Sequence, residues 1–468
     1  MVPYLPKQIA SRAIITYLIA LVAISLFYFD YAMRFGYMVL GVTFVVGFFS
    51  LFNYWSKEKR SLSEKEYLKT LFVISLIIRL IWVIASYYYY IQATGQPFEF
   101  DSRDALGYHE EAEWLASESW RMTWDYYFGS RAQGVSDVGY PLYLSLLYRL
   151  TGPVVIIPRF IKALLSAYMC VLIYKIASRT FGESTGRMAG IMTALMPNLI
   201  IYCGYHLKET EMIFLEVAFL ERMDYLLRSR NINVWNLLLP SLLAISLFFF
   251  RTVMGAAALF SIVSAILFSA TPVMKRGWRR VALISWGVLC LLIASGGTIV
   301  NEVETYWEGR GENVQKKRDE QVIRGNQWAQ YATGAVMAPM IVVLPFSTMI
   351  NVDQQYAQQT KHGGNYIRNF MGFFALLAIY ETFRRKKWRD FSLIGSFAVA
   401  YLGVISLSGF SNSERFLLPG IPCLIMMWAY GISSLRKQTY KLLIPWCYVV
   451  FAMEFAWAFF KLGSRGLL

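Results

Sequence analysis

Long apolar runs separated by short charged ones make up most of this chain. They fall at about 13–29, 36–54, 70–91, 160–178, 188–203, 210–227, 234–250, 253–271, 281–300, 367–383, 391–409, 416–434 and 442–460, and most approach or exceed the roughly 18 residues that cross a bilayer as helix. Lipid offers no partner to a free backbone N–H or C=O, so helix is the form such runs take. The pattern predicts an all-α polytopic membrane protein with about 13 transmembrane helices, forming one membrane domain over residues 1–468.

Basic residues gather in the short connections, at 57–69, 179–187, 222–230, 275–280, 384–389 and 436–441. Such clusters mark the cytoplasmic side. A further apolar run at 333–350 is interrupted by Pro339 and Pro345. If it crossed, it would carry residues 384–389 to the outer side, against that charge rule, so it reads as re-entrant or interfacial. The N-terminus is then inside, the C-terminus outside, and two long segments, 92–159 and 301–366, face outward.

The first outer segment holds the densest run of carboxylates, from Phe98 to Trp120. Ala105, Tyr108, Ala112 and Leu115 recur at helical spacing, with Glu110, Glu111, Glu113 and Glu118 around the rest, which predicts a short amphipathic helix. Asp104 falls in its first turn, where the plainest role for an aspartate is capping. A second helix is expected from Gly139-Tyr140-Pro141, with proline suited to an early helical position. The second outer segment is polar and charged from Asn301 to Gln330. Tryptophans and tyrosines in both (Trp114, Trp120, Trp124, Tyr126, Tyr127, Trp307, Trp328) point to ordered structure or to an aromatic belt at the interface.

Composition supports the pattern. Of 468 residues, 57% are hydrophobic and 17% aromatic, and 16% are charged, against about 25% in an average soluble domain. The net charge of +15 reflects topology, not a nucleic-acid surface. Cys170, Cys203, Cys290, Cys423 and Cys447 lie in or beside apolar runs without CxxC spacing and read as packing residues. Lys7 and Arg12 precede the first apolar run with no convincing cleavage site after it, so a retained first span is expected.

Charge beside an apolar span is expensive and calls for a reason. Arg159 and Lys162, Lys208 and Glu209, Arg251, and Glu414 and Arg415 all stand at the outer ends of predicted spans. Snorkelling to the headgroups is the ordinary explanation. Together, though, they place cations and carboxylates at one depth opposite the acidic helix, an arrangement suited to a lipid-borne phosphate and to deprotonating an acceptor. His109, His206 and His362 fall on the same predicted face. A divalent metal held with Asp101, Asp104 or Glu209 is the lesser reading, since no metal-ligand spacing such as HExxH occurs; no cofactor is expected.

An Asp-Ala-x-x-Tyr-His-x-x-Ala pattern (Asp104, Ala105, Tyr108, His109, Ala112), Gly139-Tyr140-Pro141-Leu142-Tyr143, Arg251-Thr252, and Arg415-Phe416-Leu417-Leu418-Pro419 occur in that order. In this the chain resembles the integral-membrane GT-C glycosyltransferases, among them the protein O-mannosyltransferase-like (glycosyltransferase family 39-like) enzymes and the transferase that places aminoarabinose on lipid A. The resemblance implies a polyprenyl-phosphate sugar donor and an acidic base in the first outer loop, which by position is Asp104, with Asp101 second. Some members carry adjacent Asp-Glu, and neither aspartate here is followed by Glu, so the choice between the two stays open.

On this reading Arg251, Arg415 and Lys208 contact the donor phosphate, while Glu209, Tyr108, His109 and Glu414 orient substrate. The expected function is inverting sugar transfer to a lipid, glycan or protein acceptor at the outer face of a bacterial cytoplasmic membrane. The alternative is a polysaccharide polymerase or O-antigen ligase using a polyprenyl-diphosphate oligosaccharide. A transporter would show broken helices and internal repeats at mid-membrane, and no repeat is evident.

Overall fold

The computed structural model describes residues 3–100, 102–128, 136–229, 234–268, 287, 338–352, 356–407, 413–463 and 466–467. Three long helices open the chain: α1 (Lys7–Phe27), α2 (Phe35–Glu58) and α3 (Glu64–Thr94). Three short ones follow, α4 (Arg103–Ser117), α5 (Trp120–Phe128) and α6 (Gly139–Thr151). The bundle continues with α7 (Ile156–Phe181), α8 (Glu183–Leu195), α9 (Pro197–Ile201), α10 (Glu209–Arg228), α11 (Val234–Phe250) and α12 (Thr252–Phe268). It closes with α13 (Tyr356–Arg384), α14 (Ser392–Leu407), α15 (Glu414–Leu417), α16 (Ile421–Ser433), α17 (Lys437–Lys441) and α18 (Leu443–Gly463).

Among the described residues there is no β-strand, only an isolated antiparallel bridge between Ala32 and Ile350. Six helical stretches are long and apolar enough to cross a membrane, and three shorter apolar helices accompany them. The protein is an all-α, multi-pass membrane protein. Over its described residues each predicted span lies on helix, 188–203 being interrupted at Met196; of 281–300 only Gly287 lies within the described residues.

Local chemistry sets several boundaries. A reciprocal capping box starts α3: Ser63 Oγ accepts from the Glu66 N–H at 3.4 Å, and Glu66 Oε2 accepts from the Ser63 N–H at 3.2 Å. Gly95, at φ +76°, ends it in the left-handed region that glycine reaches without strain.

Between α8 and α9 the helix breaks at Met196-Pro197, since proline supplies no N–H to the preceding turn. Arg79, fully buried in the middle of α3, takes up the freed carbonyls, donating to Thr193 O at 3.0 Å and Ala194 O at 3.2 Å, and to Ser166 Oγ at 2.7 Å. A buried cation inside a span is tolerable because carbonyls surround it.

The basic connections meet at one end of the bundle. Arg187 donates to Lys59 O and Leu62 O at 2.8 Å each, Arg179 pairs with Glu221 at 2.8 Å, and Arg436 lies 3.6 Å from Glu381. Phe181 stacks on Tyr430 with centroids 4.3 Å apart and lies 5.2 Å from Phe391. Residues 384–389 thus share an end with 57–69, 179–187, 222–229 and 436–441; residue 230 and residues 275–280 lie outside the described residues.

Two features depart from the predicted boundaries. α13 begins at Tyr356, well before residue 367, so Lys361 and His362 belong to a buried helix and not to a loop. His362 bonds the Tyr17 hydroxyl at 2.8 Å, and a side chain at Gly41 of α2 would overlap its ring. Its polarity is used between helices, away from His109 and His206. Residues 341–352 form no helix, yet Leu344 to Ile350 are buried. Their backbone is satisfied by α13: Asn369 donates to Val343 O and, at 2.9 Å, to Pro345 O, as non-helical chain within a membrane protein requires.

Candidate active site

At the end opposite the basic connections, α4 packs on α6 through Ala105, Ala112 and Leu115, each fully buried. That face orients the helix and leaves Asp104, in its first turn, 57% exposed at the side chain. Asp104 is not the cap: Ser102 holds that position, with no side-chain capping bond. Instead Asp104 Oδ2 accepts from Arg415 Nη1, across 311 residues of sequence. Arg415 Nε donates to Glu209 Oε1, and Glu209, opening α10, is fully buried.

Arg251 joins the same cluster. It sits 3.9 Å from Glu209 Oε1, donates to the Tyr401 hydroxyl at 3.2 Å and lies over the Phe416 ring at 4.5 Å. Lys208 donates to Phe250 O at 2.8 Å and pairs with Asp137, a non-glycine residue at φ +70°. Tyr108, one turn after Asp104, packs edge-on to Tyr140 with centroids 5.1 Å apart. Burial pushes its phenol up to about 12, with the Arg415 charge opposing.

Five sequence candidates therefore meet in one cluster: Asp104, Tyr108, Glu209, Arg251 and Arg415, with Lys208 beside them. Asp101 lies outside the described residues. His109 and Glu414 join other clusters. His109 Nδ1 is 2.8 Å from the Tyr148 hydroxyl, which is 3.2 Å from His206 Nε2. Burial lowers both histidines below their usual range, His206 further, with Lys162 and Arg159 adding to the effect there. Glu414 is buried, accepting from Asn198 at 2.6 Å, Tyr202 at 2.9 Å and Lys361 at 2.8 Å.

Both oxygens of Glu414 are thus occupied by protein side chains. Lys361, Asn198, Tyr202 and Asp137 were missed by sequence reasoning. A polar run ahead of residue 367, Gln358-Gln359-Thr360-Lys361-His362, was the available signal for the first of these. Among the described residues no three His, Cys, Asp or Glu side chains gather as a metal site.

The helical membrane bundle with cations and carboxylates converging at one end agrees with the GT-C glycosyltransferase class that the sequence motifs resemble. The model of the Alg9-like mannosyltransferase family matches residues 104–464, most of the chain, and the protein belongs to that family. Its fold is similar to that of ArnT from Cupriavidus metallidurans, solved bound to undecaprenyl phosphate, with 15% identity and a TM-score of 0.52 over 84% of this chain and 64% of that one. The Archaeoglobus fulgidus oligosaccharyltransferase, solved with a tethered acceptor peptide, gives 12% identity and a TM-score of 0.49 over 84% of this chain and 56% of that one. The chain thus spans less than two thirds of the length of either. No curated protein sequence matches it.

Proposed function

We propose that this protein transfers a hexose from a polyprenyl monophosphate to a lipid, glycan or protein acceptor, with inversion, at the outer face of the cytoplasmic membrane. The observation that carries the reading is the Arg415 guanidinium, shared between an exposed carboxylate, Asp104, and a buried one, Glu209, with Arg251 and Lys208 alongside.

Asp104 acts as general base. It takes the proton of the acceptor hydroxyl as that oxygen bonds the anomeric carbon. The bond from that carbon to the phosphate oxygen breaks, and its electron pair leaves with the polyprenyl phosphate. Arg415, Arg251 and Lys208 stabilise the departing anion, so no dedicated acid is required. A phosphate at Arg415 replaces Asp104 there and frees the base, while Glu209 keeps the arginine in place. Asp101 remains the second choice of base.

The gathering of basic connections at the opposite end supports an outward-facing cluster under the positive-inside rule. It also supports reading residues 333–350, of which 333–337 lie outside the described residues, as re-entrant or interfacial. The test is turnover by purified protein on polyprenyl-monophosphate hexoses and on a polyprenyl-diphosphate oligosaccharide. Release of polyprenyl phosphate from the monophosphate, abolished by Asp104→Asn, is the expected result. Turnover with the diphosphate alone would make the protein a polymerase or ligase.

A further inference from the structure

Arg159 and Lys162 lie one turn apart at the start of α7, and both are fully buried. Neither snorkels. Arg159 Nη2 donates to Pro97 O and lies 3.9 Å from Glu99 Oε2, and the same Glu99 oxygen accepts the His206 N–H at 3.1 Å. Lys162 Nζ donates to Tyr205 O at 2.9 Å and to Leu207 O, lies 3.6 Å from Glu211 Oε2, and sits over the Tyr140 ring at 5.0 Å.

The partners fall on two short segments. Pro97 and Glu99 belong to the connection that leads into α4 and Asp104. Tyr205 and Leu207 immediately precede Lys208 and Glu209. A single turn of α7 therefore grips, by one cation each, the segment that leads to Asp104 and the segment that leads to Lys208 and Glu209.

Resting on the transferase reading, we propose that Arg159 and Lys162 are positioning residues that set the separation between Asp104 and the Lys208–Glu209 pair, Glu209 in turn holding Arg415. Lys162 is held mainly by two backbone carbonyls, and Arg159 by one carbonyl and the Glu99 carboxylate, which suits cations that locate chain. Asp104 is then placed through Arg159, and Lys208 and Glu209 through Lys162. The two arms of the device affect different terms of the rate law.

The experiment uses two charge-balanced pairs, so that no buried charge is left alone: Glu99→Gln with Arg159→Met, and Lys162→Met with Glu211→Gln. A displaced base acts on the chemical step, so the first pair lowers kcat about tenfold or more with donor KM within about twofold. The second pair raises donor KM about tenfold with a smaller change in kcat. Arg159→Lys alone keeps the charge opposite Glu99 but shortens the reach to Pro97 O, and carries the same kcat expectation if the first pair folds poorly. A purely structural role would move both parameters alike in both pairs, or only the yield of folded protein, and either result overturns the proposal. Wild-type protein that releases no polyprenyl phosphate overturns the transferase reading itself, a separate failure.

Discussion

Arg415 holds two carboxylates of unequal exposure, and the inequality decides which one it can release. Glu209 is fully buried, and a buried carboxylate stripped of its cation is strongly penalised. Asp104 is more than half exposed and can turn to water or to an acceptor. Asp104→Asn is therefore expected to lower transfer by about 10²–10⁴-fold with donor affinity nearly unchanged, read as polyprenyl phosphate release and donor binding. Arg251→Ala and Arg415→Ala are expected to raise donor KM or slow departure; unchanged kinetics in both would return them to a packing role.

The histidines set a pH dependence. His109 and His206 have folded pKa values below 6.5, so the unfolded chain binds more protons just below that pH. Stability then falls as pH drops through 6.5. Thermal unfolding followed between about pH 5 and pH 7 should show that loss, reduced in His206→Gln.

Elements differ in how far local sequence specifies them. The start of α3 is set by Ser63 and Glu66, ahead of the apolar run that alone placed it at residue 70, while the buried face of α4 was legible in the spacing of Ala105, Ala112 and Leu115. The start of α13 was not, because Gln359, Lys361 and His362 look like loop until the bundle provides Asn351, Glu414 and Tyr17 as partners. The same helix supports the non-helical chain at 341–352. Asn369→Ala would leave Val343 O and Pro345 O without that donor, at about 1–3 kcal/mol for each carbonyl left unpaired. A lowered thermal midpoint in detergent, set against a surface substitution on the same helix, checks this.

At the scale of the whole molecule the testable claim is orientation. The described basic connections share one end, and the Asp104 cluster lies at the other. On a background without reactive cysteines, Arg389→Cys should resist a membrane-impermeant thiol reagent added from outside, while Ser119→Cys should react. Labelling of Arg389→Cys would sink both the re-entrant reading of 333–350 and the outward-facing site.

The sequence alone determined what is periodic or local: the apolar spans, the connections rich in cations, and the acidic amphipathic helix. Those properties depend on neighbours within a few turns, and lipid enforces them strictly. Only the tertiary structure decided which charges meet. Arg415 finds Asp104 across most of the chain, Glu414 is taken by Lys361 and Asn198, and Arg159 and Lys162 turn inward to carbonyls. Long cationic side chains at a helix end have two outlets, headgroups or the bundle interior, and sequence spacing looks the same for both. The packed neighbours choose between them, because a buried charge persists only where carbonyls or carboxylates are already in place.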